Sequence, residues 1–394
     1  MKSLAPNFAN YIVFYLSIAV LLTPLRLSGT YNTAYLVLII SFLVSFIIAG
    51  QFFFSKWGRG LSPVEYFLGF FPFILVPLGV FNGHPINYIV TDTLKPLLWI
   101  GIIGYFKTAE INQEYFMYRI RNSMILISLC SAITVCIVFA LFMRGGIRAS
   151  GSDIVMIFPL LYYFLTGRTL ISFFLFMVVL LGGKVGPLFS LVIVMLIYFG
   201  SVLSLRSIIF FLILTFLSLI ALFTFDFESW SQYIPFLGKF SIVFDGLIRY
   251  GNADFIDRFL LGGRLSEVLG AMTVYSNQPE LMLTGPGTGY VYDLYVNGVL
   301  DSTNHHGVHF SPVSIFTIYG GLYFFVFYSY MLYLSFKSIG YFRNRNSTLK
   351  MLAAGFFLGN LFNSFTAYSI FSLLLFPMVI GILQNQISTN RTQV

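Results

Sequence analysis

An all-α polytopic integral membrane protein, with about twelve transmembrane helices and one large loop containing helices, is the fold this sequence predicts. Hydrophobic residues make up 58% of its 394 positions and charged residues 9%, too little polar surface to cover a soluble fold of this length. The apolar residues come in runs near the ~20 that a helix needs to cross a bilayer, not in the ~10-residue alternating segments of a β-barrel. One long polar stretch interrupts these runs in the C-terminal half, and it holds three of the four histidines.

The apolar runs fall at roughly 8–26, 31–51, 64–81, 86–106, 122–142, 152–166, 168–182, 186–203, 207–225, 313–335, 350–366 and 369–386. Lys2 precedes the first run, and no small-residue cleavage site appears before Arg26, so that run reads as an uncleaved helix. The runs at 152–166 and 168–182 are short and joined by Gly167-Arg168; they are two short helices or one broken helix. No internal repeat relates one half to the other. The chain divides into an N-terminal transmembrane bundle (1–225, about nine helices), a large loop (226–312) and C-terminal transmembrane helices (313–394). Cys130 and Cys136 share one run; six residues along a helix span roughly 9 Å, too far for a disulfide.

The net charge of +8 does not imply a nucleic-acid partner, because Lys and Arg of a membrane protein collect in cytoplasmic loops. With the N-terminus inside, the cytoplasmic segments carry Lys2, Lys56, Arg59, Lys107, Arg119, Arg121, Arg168, Arg206, Lys337, Arg343, Arg345, Lys350 and Arg391. The densest run, KSIGYFRNRNSTLK at 337–350, then also falls inside. Both termini are placed in the cytoplasm and 226–312 on the outer face. Arg144, Arg148, Lys184, Lys239, Arg249, Arg258 and Arg264 are left outside, against the bias, which makes them candidates for a function. Asp92 and Lys95 lie three apart within an apolar run. Charges there are paired or line a cavity, so a mutual pair is the first reading and a substrate groove the second.

Within the loop, 226–253 is rich in aromatics, and Trp230 and Tyr233 suit an interfacial helix. Residues 254–276 have helical spacing, with Phe255, Phe259, Leu265, Val268, Leu269 and Met272 near one face. Gly262-Gly263 breaks this helix or lets it approach its neighbours. Arg264 and Glu267 are three apart and could pair, as could Arg258 with Asp254 or Asp257. Pro279 and the run GPGTGY (285–290) follow. As a nucleotide motif that run is weak, since it follows no strand and carries no P-loop Lys; it is a plain turn, or one that lets backbone approach a pyrophosphate. The stretch NHHGVHF (304–310) closes the loop. His305 and His309 have the i, i+4 spacing of zinc ligands on a helix, but Gly307 and Pro312 oppose a helix and no Glu follows the first His. His305 and His306 otherwise read as solvated loop residues, and no metal is assigned.

Gly263-Arg264 opening a helix, Pro279 followed by Gly285, Gly287 and Gly289, and His309 eleven residues before Gly320 resemble the motifs of the O-antigen polymerase and O-antigen ligase superfamily. These are the Wzy-type and WaaL-type integral membrane glycosyltransferases. Two departures stand out. Gly183-Lys184-Val185 occupies the place of a Ser/Thr-Arg-Gly motif, and Phe310 that of an Asn after the histidine. The resemblance implies a bundle in the bacterial inner membrane, a periplasmic catalytic loop, and oligosaccharides linked through pyrophosphate to undecaprenol as substrates. It implies Arg264 and Arg258 on the pyrophosphate with Lys184 assisting, Gly285, Gly287 and His305 as auxiliary residues, and His309 as the catalytic base, with no cofactor and no metal. The chemistry agrees: Arg grips phosphate through paired charge-assisted hydrogen bonds, and a neutral His accepts the acceptor hydroxyl's proton.

The function so implied is an inverting transferase that polymerises lipid-linked repeat units into O-antigen or a related surface polysaccharide. Its partners would be the lipid-linked oligosaccharide, membrane lipid and a chain-length regulator, without nucleic acid. An O-antigen ligase acting on lipid A-core is the alternative by the same chemistry. A polysaccharide transporter or flippase is a second alternative. The Asp92/Lys95 charges and the broken middle helices favour it; the missing repeat and the long His- and Arg-bearing loop oppose it.

Overall fold

Long apolar runs fold as helices because lipid offers the backbone no hydrogen-bond partners. The computed structural model describes residues 31–56, 60–111, 113–121, 157–181, 185–202, 264–296, 299–345, 347–365, 370–372 and 375–385, with short pieces between 10 and 17 and between 124 and 133. Lys184, Arg258, both cysteines, all of the run expected at 207–225 and most of those at 8–26 and 122–142 lie outside the described residues.

Among the described residues the chain is mostly helical: α1 (Tyr31–Lys56), α2 (Pro63–Ile74), α3 (Val76–Phe81), α4 (Ile86–Thr108), α5 (Ile157–Leu165), α6 (Thr169–Leu181), α7 (Val185–Val202), α8 (Arg264–Asn277), α9 (Ser311–Asn344), α10 (Thr348–Ser364) and α11 (Leu375–Gln384). Three stretches are long and apolar enough to cross a membrane: Pro63–Phe81, Ile86–Thr108 and Ser311–Asn344. The open choice at 152–182 resolves as two helices. Gly167, at φ 77°, turns the chain, α5 and α6 contact each other, and Ser172 Oγ donates to Leu160 O at 3.1 Å.

Helix α4 is central and packs on α1, α2 and α11. Trp99, 2% exposed, meets Phe327 of α9 and Phe376 of α11, both with ring centroids 5.8 Å away. Helix α9 lies across α2 and α4 and also touches α7, α8, α10 and α11. It runs on to Asn344, so the basic stretch 337–344, expected as loop, is helical.

Two prolines explain how α9 is seated. Pro72 lies inside α2 and Pro96 inside α4. Neither can donate to the carbonyl four residues earlier, so Leu68 O and Asp92 O are left open. Helix α9 fills both places: Tyr323 donates its hydroxyl to Leu68 O at 3.0 Å and Tyr319 donates to Asp92 O at 2.8 Å. Each contact replaces a main-chain bond that would otherwise be missing in the interior.

The loop contains a departure from the all-helical expectation. Strands β1 (Val291–Val296) and β2 (Val299–His306) pair antiparallel, with Val291 opposite His306 and Tyr292 opposite His305. Ala271, Tyr290, Tyr292, Leu294 and Val308 form a small separate core under α8. The buried face of α8 is Glu267, Ala271 and Tyr275, while Leu265 and Leu269 are exposed. The apolar face expected for this helix is therefore corrected. The hairpin tyrosines need a small residue opposite them, and Ala271 at 0% exposure provides it.

Removing a hydroxyl that serves an open carbonyl leaves a buried acceptor unsatisfied, at a cost of about 1–3 kcal/mol. Tyr323→Phe should therefore lower the thermal unfolding midpoint in detergent. Adding Pro72→Ala restores the N–H to Leu68 O, so the double variant should recover part of the loss. Strict additivity of the two changes would show that Tyr323 does not act through that carbonyl.

Candidate functional site

The sharpest constraint in the loop is the GPGTGY turn. Gly285, Gly287 and Gly289 have φ of 75°, 102° and 79°, a region that L side chains avoid. Their backbones also press on other backbones. A Cβ at Gly285 would lie 2.7 Å from Gly320 N, and one at Gly287 would lie 2.5 Å from Gly79 N. The turn is thus wedged between the end of α2–α3 and a break in α9, where Gly320 adopts φ 79° and ψ 173°. The break frees polar groups that the loop takes up: Leu322 N–H donates to Leu283 O at 3.1 Å, and Tyr275 donates to Phe316 O at 2.8 Å. Asn82 Nδ2 donates to Pro286 O at 2.9 Å, and His84 Nδ1 donates to Thr288 O at 3.0 Å. The N–H groups of Gly285 and Gly289 are bound to Leu281 O and Asp92 Oδ2. Of the two readings left open, plain turn or pyrophosphate cradle, the bound N–H groups of Gly285 and Gly289 favour the first: the turn is a joint between the loop and the helices.

Asp92 fastens that joint. It is 4% exposed. Its Oδ2 accepts from Gly289 N–H at 2.9 Å and its Oδ1 lies 3.3 Å from His306 Nε2. Asp92 thus makes its close contact with His306, while Lys95, the expected partner, still interacts with it electrostatically. His306 is no solvated loop residue either: its ring stacks on Tyr88 at 4.0 Å and 12°, and Nδ1 faces Tyr290 O at 2.9 Å. Both ring nitrogens face acceptors, so the imidazolium satisfies both. Burial disfavours that charge, but Asp92 and the Tyr290 carbonyl outweigh it and raise the His306 pKa above its usual value.

His309 is the exposed counterpart. It lies just before α9, and Gly307 at φ 77° separates it from β2. Its Nδ1 lies 2.8 Å and 2.9 Å from the two oxygens of Glu267, and its main-chain N–H donates to Glu267 Oε2 at 2.9 Å. Glu267 is the buried partner, and 30% of the His309 side chain is exposed. A carboxylate acceptor fixes the neutral ring as the Nδ1–H tautomer, which places the basic lone pair on Nε2. Burial raises the Glu267 pKa, but the hydrogen bonds and charge of His309 outweigh it and hold the carboxyl below its usual range.

His305 Nε2 lies 4.0 Å from Glu267 Oε1, and its ring meets Tyr292 edge-on at 5.3 Å. It belongs to a strand, not to a helix shared with His309, so the i, i+4 zinc geometry is absent. It faces the same carboxylate as His309, which corrects its reading as a solvated loop residue. Arg264 opens α8, half-buried, one turn before Glu267, and makes no ion pair with it among the described residues. Glu267 takes His309 instead. The structure thus places Arg264, Glu267, His305 and His309 around one end of α8. Glu267 was the missed residue; its signal was an acid one turn past Arg264, on the face that also carries Ala271 and Tyr275.

Comparison with protein-family models and with curated proteins finds no match.

The Asp92–His306 pair carries a pH signature. A folded pKa raised above ~6.5 gives stability that is present below that value and lost as pH rises through the folded pKa. The thermal midpoint should fall as pH rises above the usual histidine range, and His306→Gln should lower the acid-side midpoint and flatten this fall. An unchanged slope in His306→Gln would remove the pair from the account.

Proposed function

We propose that the chain is an inverting membrane glycosyltransferase that polymerises undecaprenyl-pyrophosphate-linked oligosaccharides, with His309 as the base. The Glu267–His309 pair carries this reading. It puts an oriented, partly exposed imidazole at the mouth of a long apolar helix, in the sequence register of the superfamily's histidine. Glu267 holds the ring and stabilises the imidazolium formed when Nε2 accepts the acceptor hydroxyl's proton. The hydroxyl oxygen attacks the anomeric carbon as the bond to the lipid pyrophosphate breaks. The leaving group departs already charged, so it needs no proton.

Arg264 supports the same reading from the other side of the reaction. A cation in the first turn gains nothing from the helix dipole, whereas a phosphate there meets both the guanidinium and the N-terminal N–H groups of α8. It opens the helix that carries Glu267, so donor grip and acceptor base share one rigid element. The loop would lie on the periplasmic face of the inner membrane, with both termini in the cytoplasm.

Glycan laddering in a deletion strain tests the assignment, with membrane protein levels matched. His309→Ala should abolish the ladder, since general-base catalysis contributes ~10²–10⁴-fold. Glu267→Gln should impair it, and His305→Ala should leave substantial polymer. His306→Ala should act through protein level, because it releases β2 from Asp92 and leaves Asp92 Oδ1 without that partner. A full ladder from His309→Ala would defeat the assignment. Core capped with a single repeat unit in the deletion strain marks a polymerase; uncapped core with accumulated lipid-linked polymer marks a ligase.

A second measurement concerns Arg264. Lysine keeps the charge but loses the planar fork that binds phosphate in two places, so Arg264→Lys should lose most activity at normal protein level. Near-wild-type polymer from that variant would take Arg264 off the pyrophosphate.

A further inference from the structure

A second polar cluster lies at the opposite end of α4 from Asp92. Lys107 is fifteen residues further along the helix, about 22 Å at ~1.5 Å per residue. There Glu65, 0% exposed, accepts from Lys107 Nζ at 2.8 Å, Ser62 N–H at 2.6 Å and Tyr330 Oη at 2.8 Å. Gln384 Nε2 donates to Tyr330 Oη at 2.6 Å. The carboxylate is satisfied and its charge is matched by Lys107.

Beside this network is a cavity of about 670 Å³ between the start of α2, the ends of α4 and α11 and the middle of α9. Ser62, Lys107 and Gln384 line its polar end, and Phe325, Ser329 and Tyr333 line its α9 wall. Phe325 and Tyr333 are 71% and 57% exposed, so the cavity opens sideways across the surface of the bundle. Lys337 lies one turn beyond Tyr333 on the same face and interacts electrostatically with both Lys107 and Glu65. Glu65 matches the charge of Lys107, so Lys337, one turn past the lined wall, brings the surplus positive charge to this end of the cavity. From Lys337 back to Phe325 is twelve residues of α9, about 18 Å, close to half of a ~30 Å hydrocarbon core.

We infer that this cavity is a binding site for an anionic phospholipid. The phosphate rests between Lys337 and Lys107, and one acyl chain runs along the Phe325–Ser329–Tyr333 wall toward the bilayer midplane. The depth fits a lipid of a single leaflet, and the surplus charge selects an anionic headgroup over a zwitterionic one. This site is separate from the histidines and does not rest on the transferase reading.

The test uses the full-length protein in nanodiscs of equal phosphatidylglycerol and phosphatidylcholine, with retained lipid counted by native mass spectrometry. Wild type should retain phosphatidylglycerol over phosphatidylcholine by about fivefold, the ratio given by ~1 kcal/mol per lysine at a membrane surface. Lys337→Gln should bring the ratio near one without removing Lys107 from Glu65. Ser329→Trp, which fills the exposed wall of the cavity, should reduce retention of both lipids. No preference in wild type, a preference that survives Lys337→Gln, or retention unaffected by Ser329→Trp would overturn the proposal. So would displacement of the lipid by an equal concentration of inorganic phosphate, which would mark a site for a soluble anion.

Discussion

A carboxylate buried among apolar helices must be satisfied by the protein, and at Asp92 that requirement organises the site. Its side chain binds the last glycine of the turn and the second histidine of the hairpin, and its main-chain carbonyl binds Tyr319. One residue thus ties α4 to α9, to the turn and to β2. Leaving such a charge unpaired costs ~3–5 kcal/mol, so the loop cannot leave the helices cheaply. The contact that fixes His306 also fixes the strand from which His309 follows.

Helix α9 gains its place by a related constraint. Prolines in α2 and α4 open two carbonyls, and tyrosines one turn apart on α9 close them. Farther along, Tyr330 reaches the buried Glu65. These hydroxyls set both the rotation and the height of α9, since only one face and one register offers all three. Gly320 then breaks the helix just where the turn must enter, and its freed neighbours bind loop atoms.

The three loop histidines divide accordingly. His306 is paired with Asp92 and stacked on Tyr88, and serves the fold. His309 is held through Nδ1 by Glu267 and is partly exposed. His305 faces the same carboxylate from a longer distance. Their difference lies in the partner each finds: Asp92 comes from the long apolar helix α4, and Glu267 from the short helix α8.

The sequence by itself determined the helical class and the bounds of most described helices, because apolar runs in lipid have few alternatives to a helix. Arg264, His309 and Gly320 stood out through the resemblance of their motifs to a known superfamily. Partners were beyond it. The i, i+3 spacing suggested Asp92 with Lys95 and Arg264 with Glu267, yet each acid bonds to a histidine more than forty residues away in the chain. Local spacing states only what can meet within one helix. The glycine turn was open to two readings, plain turn or cradle, because its backbone is bare; only the tertiary structure shows that other backbone fills the space against it. The β-hairpin was hidden too, since one short apolar strand and one mostly polar one carry little periodic signal, and their pairing depends on the Ala271 surface beneath them.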